Sequence, residues 1–224
     1  MFLVLFDAMK HTDINKIYES IPQESIPWNL TDPPEVLTQL VKKGTILPCK
    51  TVDLGCGTGN YAIYLAKAGF DVSGIDISAE AIRLALENAA NKGVACNFIV
   101  GDLCRDWPES SGNFGFAFDY EVLHHIYPRF RKKYIENVSR FLKPGAFYLS
   151  VCFSVKDPHF GGTGKYRKTP IGTVLYFSSE KELKKLFQPL FTIIESKTIE
   201  VKGQTVPHMA NYFLMKKLPG NSDH

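Results

Sequence analysis

The chain lacks any apolar run near the ~20 residues that a membrane-spanning helix requires, so no membrane partner is expected. Its apolar start, Met1–Phe6, is cut off by Asp7 with no small-residue cleavage site behind it, which predicts no secretory signal peptide. Cysteine is sparse and scattered: Cys49, Cys56, Cys96, Cys104 and Cys152 form no C-x-x-C pair and no metal-type cluster. An odd, unclustered set predicts reduced thiols, a cytoplasmic location and no metal centre. Neither sign of charge dominates, since 26 Lys and Arg stand against 23 Asp and Glu. The densest basic run, Arg129-Phe130-Arg131-Lys132-Lys133, opens a helical pattern and reads as a solvated helix face, so no nucleic-acid partner is expected. There are no internal repeats and no low-complexity tracts.

What the chain does have is 45% hydrophobic residues over a length of 224, enough for the core of one larger domain. Strand and helix patterns alternate from residue 50 to about residue 153, which predicts an α/β fold with a parallel sheet and helices on both faces. Ser78 caps a helix running to about Lys92, with Ile82, Ala85, Leu86 and Ala89 on its buried face and Gly93 ending it. Tyr134, Val138 and Phe141 mark the buried face of another helix, ended by Pro144. Ser179 and Glu182 form a capping box for a helix through Phe187, and Phe191–Val201 and Ala210–Lys217 read as a closing antiparallel pair. His11–Ile21 has helical apolar spacing. Asp32-Pro33-Pro34-Glu35 reads as a helix start with Asp32 as N-cap and Pro33 at the first helical position. The expected organisation is a single domain: a cap segment 1–34, a core 35–153, a loop 154–177 and a closing unit 178–224.

The segment richest in information is Asp53-Leu54-Gly55-Cys56-Gly57-Thr58-Gly59-Asn60, between an apolar run and the helical pattern Tyr61–Ala68. Alternating glycines let backbone approach a ligand closely because no Cβ intervenes, and the helix behind them offers its free N–H groups at the same place. Dinucleotide-binding loops read G-x-G-x-x-G. Counted from Gly55 and Gly57, the third position here is Asn60; the glycine comes one residue early, at Gly59, and Asp53 opens the motif. Phe70–Asp76 reads as a second strand ending in an acid, which can accept hydrogen bonds from both hydroxyls of a ribose. Asn97–Val100 reads as a third strand followed by Gly101-Asp102, and Phe114–Phe118 as a fourth leading into Asp119-Tyr120-Glu121-Val122-Leu123-His124-His125. Phe141-Leu142-Lys143-Pro144-Gly145-Ala146 then precedes a fifth, running through Val151.

The D-x-G-x-G-x-G arrangement resembles motif I of the class I, Rossmann-like S-adenosylmethionine-dependent methyltransferases, and the later segments are similar, in order, to that family's strand-two acid, strand-three acid, L-H-H segment and L-x-P-G-G turn. Ala146 departs from the second glycine of that turn. The resemblance implies a seven-stranded, mostly parallel sheet with an antiparallel last strand. It implies that Gly55, Gly57 and Gly59 lie against the amino-acid end of the cofactor, with Cys56 packed inside the loop and Asp53 reaching the ammonium region. It assigns Asp76 to the ribose and Asp102 to the adenine, and it counts Ile77, Leu103, Asp119 and Tyr120 among the cofactor-binding residues. The implied activity is methyl transfer from S-adenosylmethionine to a small molecule, leaving S-adenosylhomocysteine. Pro27-Trp28 resembles the N-terminal segment of thiol, thiopurine and tellurite-resistance enzymes, which implies that Trp28, with Tyr18, covers the cofactor.

On the acceptor side the candidates are His124, His125 and Tyr120, with Glu121 comparable. An imidazole titrates near neutral pH and suits a base, while L-H-H in the family also serves in packing. No catalytic motif is required, because methyl transfer from a sulfonium releases a neutral leaving group and orientation can supply most of the rate. The 154–177 segment is long and without regular pattern, which predicts a substrate lid. It carries His159, Phe160, Gly161, Gly162, Lys165, Tyr166 and Arg167, and the last three suit an anionic substrate. His208 reads as structural. Three alternatives stay open: a non-catalytic cofactor-binding or partner-regulating protein, a protein or RNA methyltransferase, and a nicotinamide dehydrogenase. The acceptor atom is open, as is the choice between monomer and dimer.

Overall fold

A computed structural model describes residues 11–107, 112–160 and 163–219. Met1–Phe6, the first part of the cap segment, and Gly161 and Gly162 lie outside them. In chain order the elements are α1 (His11–Ser20), α2 (Glu35–Lys42), β1 (Lys50–Leu54), α3 (Asn60–Lys67), β2 (Asp71–Asp76), α4 (Ala79–Asn91), β3 (Asn97–Val100), β4 (Phe114–Tyr120), α5 (Pro128–Phe141), β5 (Leu142–Phe153), β6 (Tyr166–Lys168), β7 (Val174–Tyr176), α6 (Glu180–Phe187), β8 (Phe191–Val201) and β9 (His208–Lys217). Seven strands form one sheet in the order β3-β2-β1-β4-β5-β9-β8. β1 pairs in parallel with β2 and β4, while β9 runs antiparallel to both β5 and β8. This is the Rossmann-like methyltransferase arrangement, with its antiparallel last strand. Strand order reverses between β1 and β4, and ligands of such sheets bind beyond the strand C-termini at that reversal.

Period-two alternation divides the core. Val52, Leu54 and Ala117 face α5 and α6 with Tyr134, Val138 and Phe187, whereas Phe116 and Phe118 face α2 and α3 with Leu37, Leu40 and Leu65. The capping box at Ser179 and the cap at Ser78 both form. No helix among the described residues is long and apolar enough to cross a membrane.

Four expectations are corrected. Leu86 is 51% exposed; α4 also packs on α1 through Ala81 and Leu84, which turns its buried face away from Leu86. α2 starts at Glu35 with Pro34 as N-cap, and Asp32 pairs with Lys202 at 3.1 Å instead of capping. Pro34 pushes Pro33 out of the helical region, so the helix cannot begin there. α5 ends at Phe141 without help from Pro144, because Leu142 is already extended and paired with Phe114; Pro144-Gly145 forms an irregularity within β5. The 154–177 segment holds the antiparallel hairpin β6–β7.

Candidate active site

A cavity of about 400 Å³ opens at the C-terminal ends of β1 and β4. Its floor is the loop after β1. The amides of Gly55 and Cys56 donate to the Ile75 carbonyl at 2.7 and 3.0 Å, binding the loop to β2. Gly57 N–H donates to Asp76 Oδ2 and Ser78 N–H to Asp76 Oδ1, each at 2.9 Å. Gly55 has φ +73, and a Cβ there would meet Val122 Cγ2 at 2.5 Å; Gly57 has φ +52, and a Cβ would meet the Tyr18 hydroxyl at 2.9 Å. Both positions exclude a side chain by conformation and by space.

Asp53, Gly55, Cys56, Gly57, Asp76, Ile77, Asp102 and Leu103 all line this cavity. Asp53 Oδ2 is buried without a hydrogen-bond partner. Burial, followed by the charge of Asp76, holds the Asp53 carboxyl well above its ordinary range. Burial also raises Asp76, although amides of Ser78, Gly57 and Ile77 oppose it. An orphaned acid beside a side-chain-free cradle fits a ligand that brings a cationic group to narrow backbone. Asp102 holds its own turn by accepting from Cys104 N–H at 2.8 Å. Gly59 does not line the cavity: it is the N-cap of α3, packed where a Cβ would strike Phe98.

Asp119 lies in the core, not in the cavity. It accepts from the Tyr148 hydroxyl and from Ser150 Oγ at 3.0 Å, and burial pushes its carboxyl up to about 6. The reason is parity: alternate residues of β4 face opposite ways, so Asp119 shares a face with Ala117 while Tyr120 turns to the cavity.

The two histidines separate as well. His124 is buried behind the cavity wall, its Nδ1 accepting from Phe153 N–H at 3.2 Å and its ring stacked on Phe153. Burial keeps it neutral by lowering its pKa well below the usual value. His125 lines the cavity, edge-on to Trp28 at 5.5 Å, with a buried Nδ1 that has no partner. Burial lowers it to about 4, so it is a neutral imidazole at physiological pH. Glu121 lines the same wall in the left-handed conformation, φ 66, and burial pushes its carboxyl up to about 8.

The roof is the N-terminal segment. Ile14, Tyr18, Trp28, Asn29 and Leu30 line the cavity, and Trp28 Nε1 donates to the Tyr18 hydroxyl at 2.9 Å. Asn29 Oδ1 accepts from Thr58 Oγ1 at 2.6 Å and Asn60 Nδ2 at 2.9 Å, and Asn60 also reaches the Leu30 carbonyl at 3.2 Å. Asn29, Thr58, Asn60 and Tyr61 were not singled out as site residues from sequence. The signal for Asn60 was present, since it stands where dinucleotide loops have glycine.

None of His159, Lys165, Tyr166 and Arg167 lines the cavity. Arg167 is 4% exposed and donates to the carbonyls of Gly164, His159, Val155 and Asp157. Lys165 pairs with Glu182 at 2.7 Å, and Tyr166 packs edge-on against Tyr127 and Tyr176. The segment packs down on the body of the domain, where Tyr176 N–H donates to the His124 carbonyl at 2.8 Å. Arg131, expected on a solvated face, is 5% exposed. Its guanidinium donates to the carbonyls of Ile126 and Leu123 at 2.7 and 2.8 Å and to Ser178 Oγ at 2.7 Å, bracing the turn that presents His125.

Residues 51–145 match a family model described as a methyltransferase domain. The chain is similar to a 2-heptyl-1-hydroxyquinolin-4(1H)-one methyltransferase of Mycobacteroides abscessus, 30% identical over 57% of this chain and 56% of that protein. It is similar to a probable thiol methyltransferase of Arabidopsis thaliana, 28% identical over 61% of this chain and 60% of that one. The chain thus spans somewhat over half the length of these curated relatives. A solved S-adenosylmethionine-dependent methyltransferase from Methanosarcina mazei superposes with a TM-score of 0.70 at 26% identity, covering 84% of this chain and 99% of that one. Together with the sheet order and the glycine cradle, these matches identify residues 51–145 as a methyltransferase domain of the Rossmann-like, S-adenosylmethionine-dependent type.

Proposed function

We propose that this chain transfers a methyl group from S-adenosylmethionine to a small, largely apolar acceptor. The observation that carries the reading is one cavity joining the glycine cradle and Asp76 to a wall built by Trp28, His125, Ile126 and Phe130. When bound, the cofactor supplies an activated methyl on a sulfonium. Gly55 and Gly57 would admit its amino-acid end, Asp53 would provide an acceptor for the ammonium, and Asp76 and Asp102, flanked by Ile77 and Leu103, would take the ribose and adenine. Trp28 and Tyr18 exclude water from above. Holding the reacting atoms in near-attack geometry is worth up to ~7–11 kcal/mol, enough for most of the rate. Neutral His125, with its unpaired Nδ1, is available to take a proton from an acceptor hydroxyl or thiol.

Arg105 lines the cavity at the Asp102 end, where it bonds that carboxylate at 3.1 Å. The wall of Trp28, Tyr120, Val122, His125, Ile126 and Phe130 is apolar apart from Glu121 and the histidine, which supports a neutral or aromatic acceptor over an anionic one. A thiol or hydroxyl nucleophile is the finer reading. It draws on the names of the Arabidopsis and Mycobacteroides relatives, a thiol methyltransferase and a hydroxyquinolinone methyltransferase. The test is conversion of S-adenosylmethionine to S-adenosylhomocysteine by purified protein with a panel of thiols, phenols and hydroxyquinolines, comparing the native chain with Asp76→Ala. Turnover abolished by the substitution supports the proposal. Calorimetric binding of NAD without binding of S-adenosylhomocysteine overturns it, and tight S-adenosylhomocysteine binding without turnover across the panel assigns a binding role instead.

A further inference from the structure

Outside the cavity, Asp157, His159 and His208 bring one carboxylate and two imidazoles together, with one ligand atom of each lying within 4.8 Å of the others. We propose that this triad is a divalent transition-metal site of the zinc type, independent of the methyl-transfer reading.

The geometry supports it at several points. His208 Nδ1 lies 3.2 Å from Asp157 Oδ2, and His159 Nδ1 lies 3.3 Å from Asp157 Oδ1. Ligands about 2.0–2.1 Å from a tetrahedral zinc are separated by about 3.3 Å, so neither imidazole needs to move far to bind an ion beside the carboxylate. His159 Nδ1 is buried and makes no hydrogen bond, an unmet acceptor or donor that a metal ion would satisfy. The carboxylate is oriented from behind, since Oδ1 accepts from His159 N–H at 2.8 Å and Oδ2 from Met209 N–H at 2.7 Å. His208 is clamped between Phe160 and Phe153, and Gly203 leaves room for its ring. The neighbouring cation, Arg167, spends its donors on backbone carbonyls, those of Asp157 and His159 among them, and not on the Asp157 carboxylate, whose Oδ2 is hydrogen-bonded to His208 Nδ1 at 3.2 Å.

Three protein ligands leave a fourth position for water, and the His159 side chain is 36% exposed, so the ion has a route in and out. The ion would fasten the segment after β5 to the start of β9. Phe153, which packs at a tilt on His208 and stacks on His124, connects that fastening to the wall behind His125. The ligands lie 49 residues apart in sequence between His159 and His208, which is why spacing alone gave no metal signal.

The test is zinc binding to the full chain after chelator treatment, followed by competition with a chromophoric chelator, for the native protein and for His159→Gln. His159→Gln removes a half-exposed imidazole and is checked for an unchanged melting temperature in EDTA. The expected result is one zinc ion per chain, bound at least ~10-fold more tightly by the native protein than by the variant. Zinc should raise the melting temperature of the native protein alone. Cobalt in place of zinc should give a spectrum without a thiolate charge-transfer band. Equal zinc affinity in the two proteins, no binding by either, or a thiolate band from the cysteines would overturn the proposal.

Discussion

Gly57 and Asp76, 19 residues apart, are joined by a 2.9 Å hydrogen bond from the glycine amide to Oδ2, so the acid at the end of β2 sets the shape of the loop after β1. Asp76 therefore has two duties, and substitutions separate them. Asp76→Ala strips the acceptor from the amides of Gly57 and Ser78 and should cost about 1–3 kcal/mol of stability as well as cofactor affinity. Asp76→Asn keeps an oxygen for one amide and should retain more of the stability while still losing affinity. Thermal denaturation and calorimetry with S-adenosylhomocysteine, run on both variants, check the split; equal losses in both measurements would refute it.

Gly55→Ala should be damaging for two distinguishable reasons. The new Cβ strikes Val122 Cγ2 at 2.5 Å, and φ +73 is unfavourable for alanine. Val122→Ala in the same chain should recover the steric part and leave about 1 kcal/mol from the backbone. Melting temperatures of the two single variants and the double variant measure the coupling.

Glu121 gives stability a pH signature. Its carboxyl is raised from the ordinary 4.5 to about 8 by burial, so between those values the folded protein holds a proton that the unfolded chain has released. Its contribution is complete below about 4.5 and is lost as pH rises through about 8. Glu121→Gln should therefore match the native protein near pH 5 and exceed it near pH 8.5 by on the order of 1–3 kcal/mol. His125 works in the opposite window. Its pKa is lowered to about 4, so its contribution is present above the unfolded value of 6.5 and is lost as pH falls through about 4. Denaturant titrations at several pH values test both signs.

Lys165→Ala should leave turnover unchanged, since Lys165 bonds Glu182 on the surface and does not reach the cavity. Arg131→Lys should lower both stability and kcat. A lysine cannot serve the Ile126 and Leu123 carbonyls and Ser178 together, and the turn presenting His125 loses its brace. The stability loss is expected at roughly 1.5–3 kcal/mol. An unimpaired Arg131→Lys enzyme would remove that role.

The parts of the site that depend on local chain properties were legible in the sequence. The glycine loop, Asp76 and the Ser78 and Ser179 caps each follow from residue type and spacing within a few positions. Parity was harder to read. Asp119 and Tyr120 are adjacent, yet only one faces the cavity, and which one depends on where β4 begins its alternation. Arg131 and Arg167 were illegible for another reason. A buried cation is held by carbonyls from distant segments, and a side chain type says nothing about where those carbonyls will lie. The stripe Arg131, Tyr134, Ile135 and Val138 was the available hint, because its helical spacing places the arginine on the buried face. The described part of the 154–177 segment lies off the cavity because the β6–β7 pairing and bonds such as Tyr176 N–H to the His124 carbonyl pack it against the domain, a placement that depends on partners distant in sequence.

Asn29 is one fastening between roof and floor, its side-chain oxygen receiving both Thr58 and Asn60, and Asn15 is another, accepting from Ser78 Oγ and Glu80 N–H. A fragment beginning after Leu30 would keep all seven strands and the glycine loop, yet its cavity would become a trough open to solvent. Ile14, Tyr18, Trp28, Asn29 and Leu30 line the cavity alongside the loop, so a functional test of this chain should keep residues 14–30.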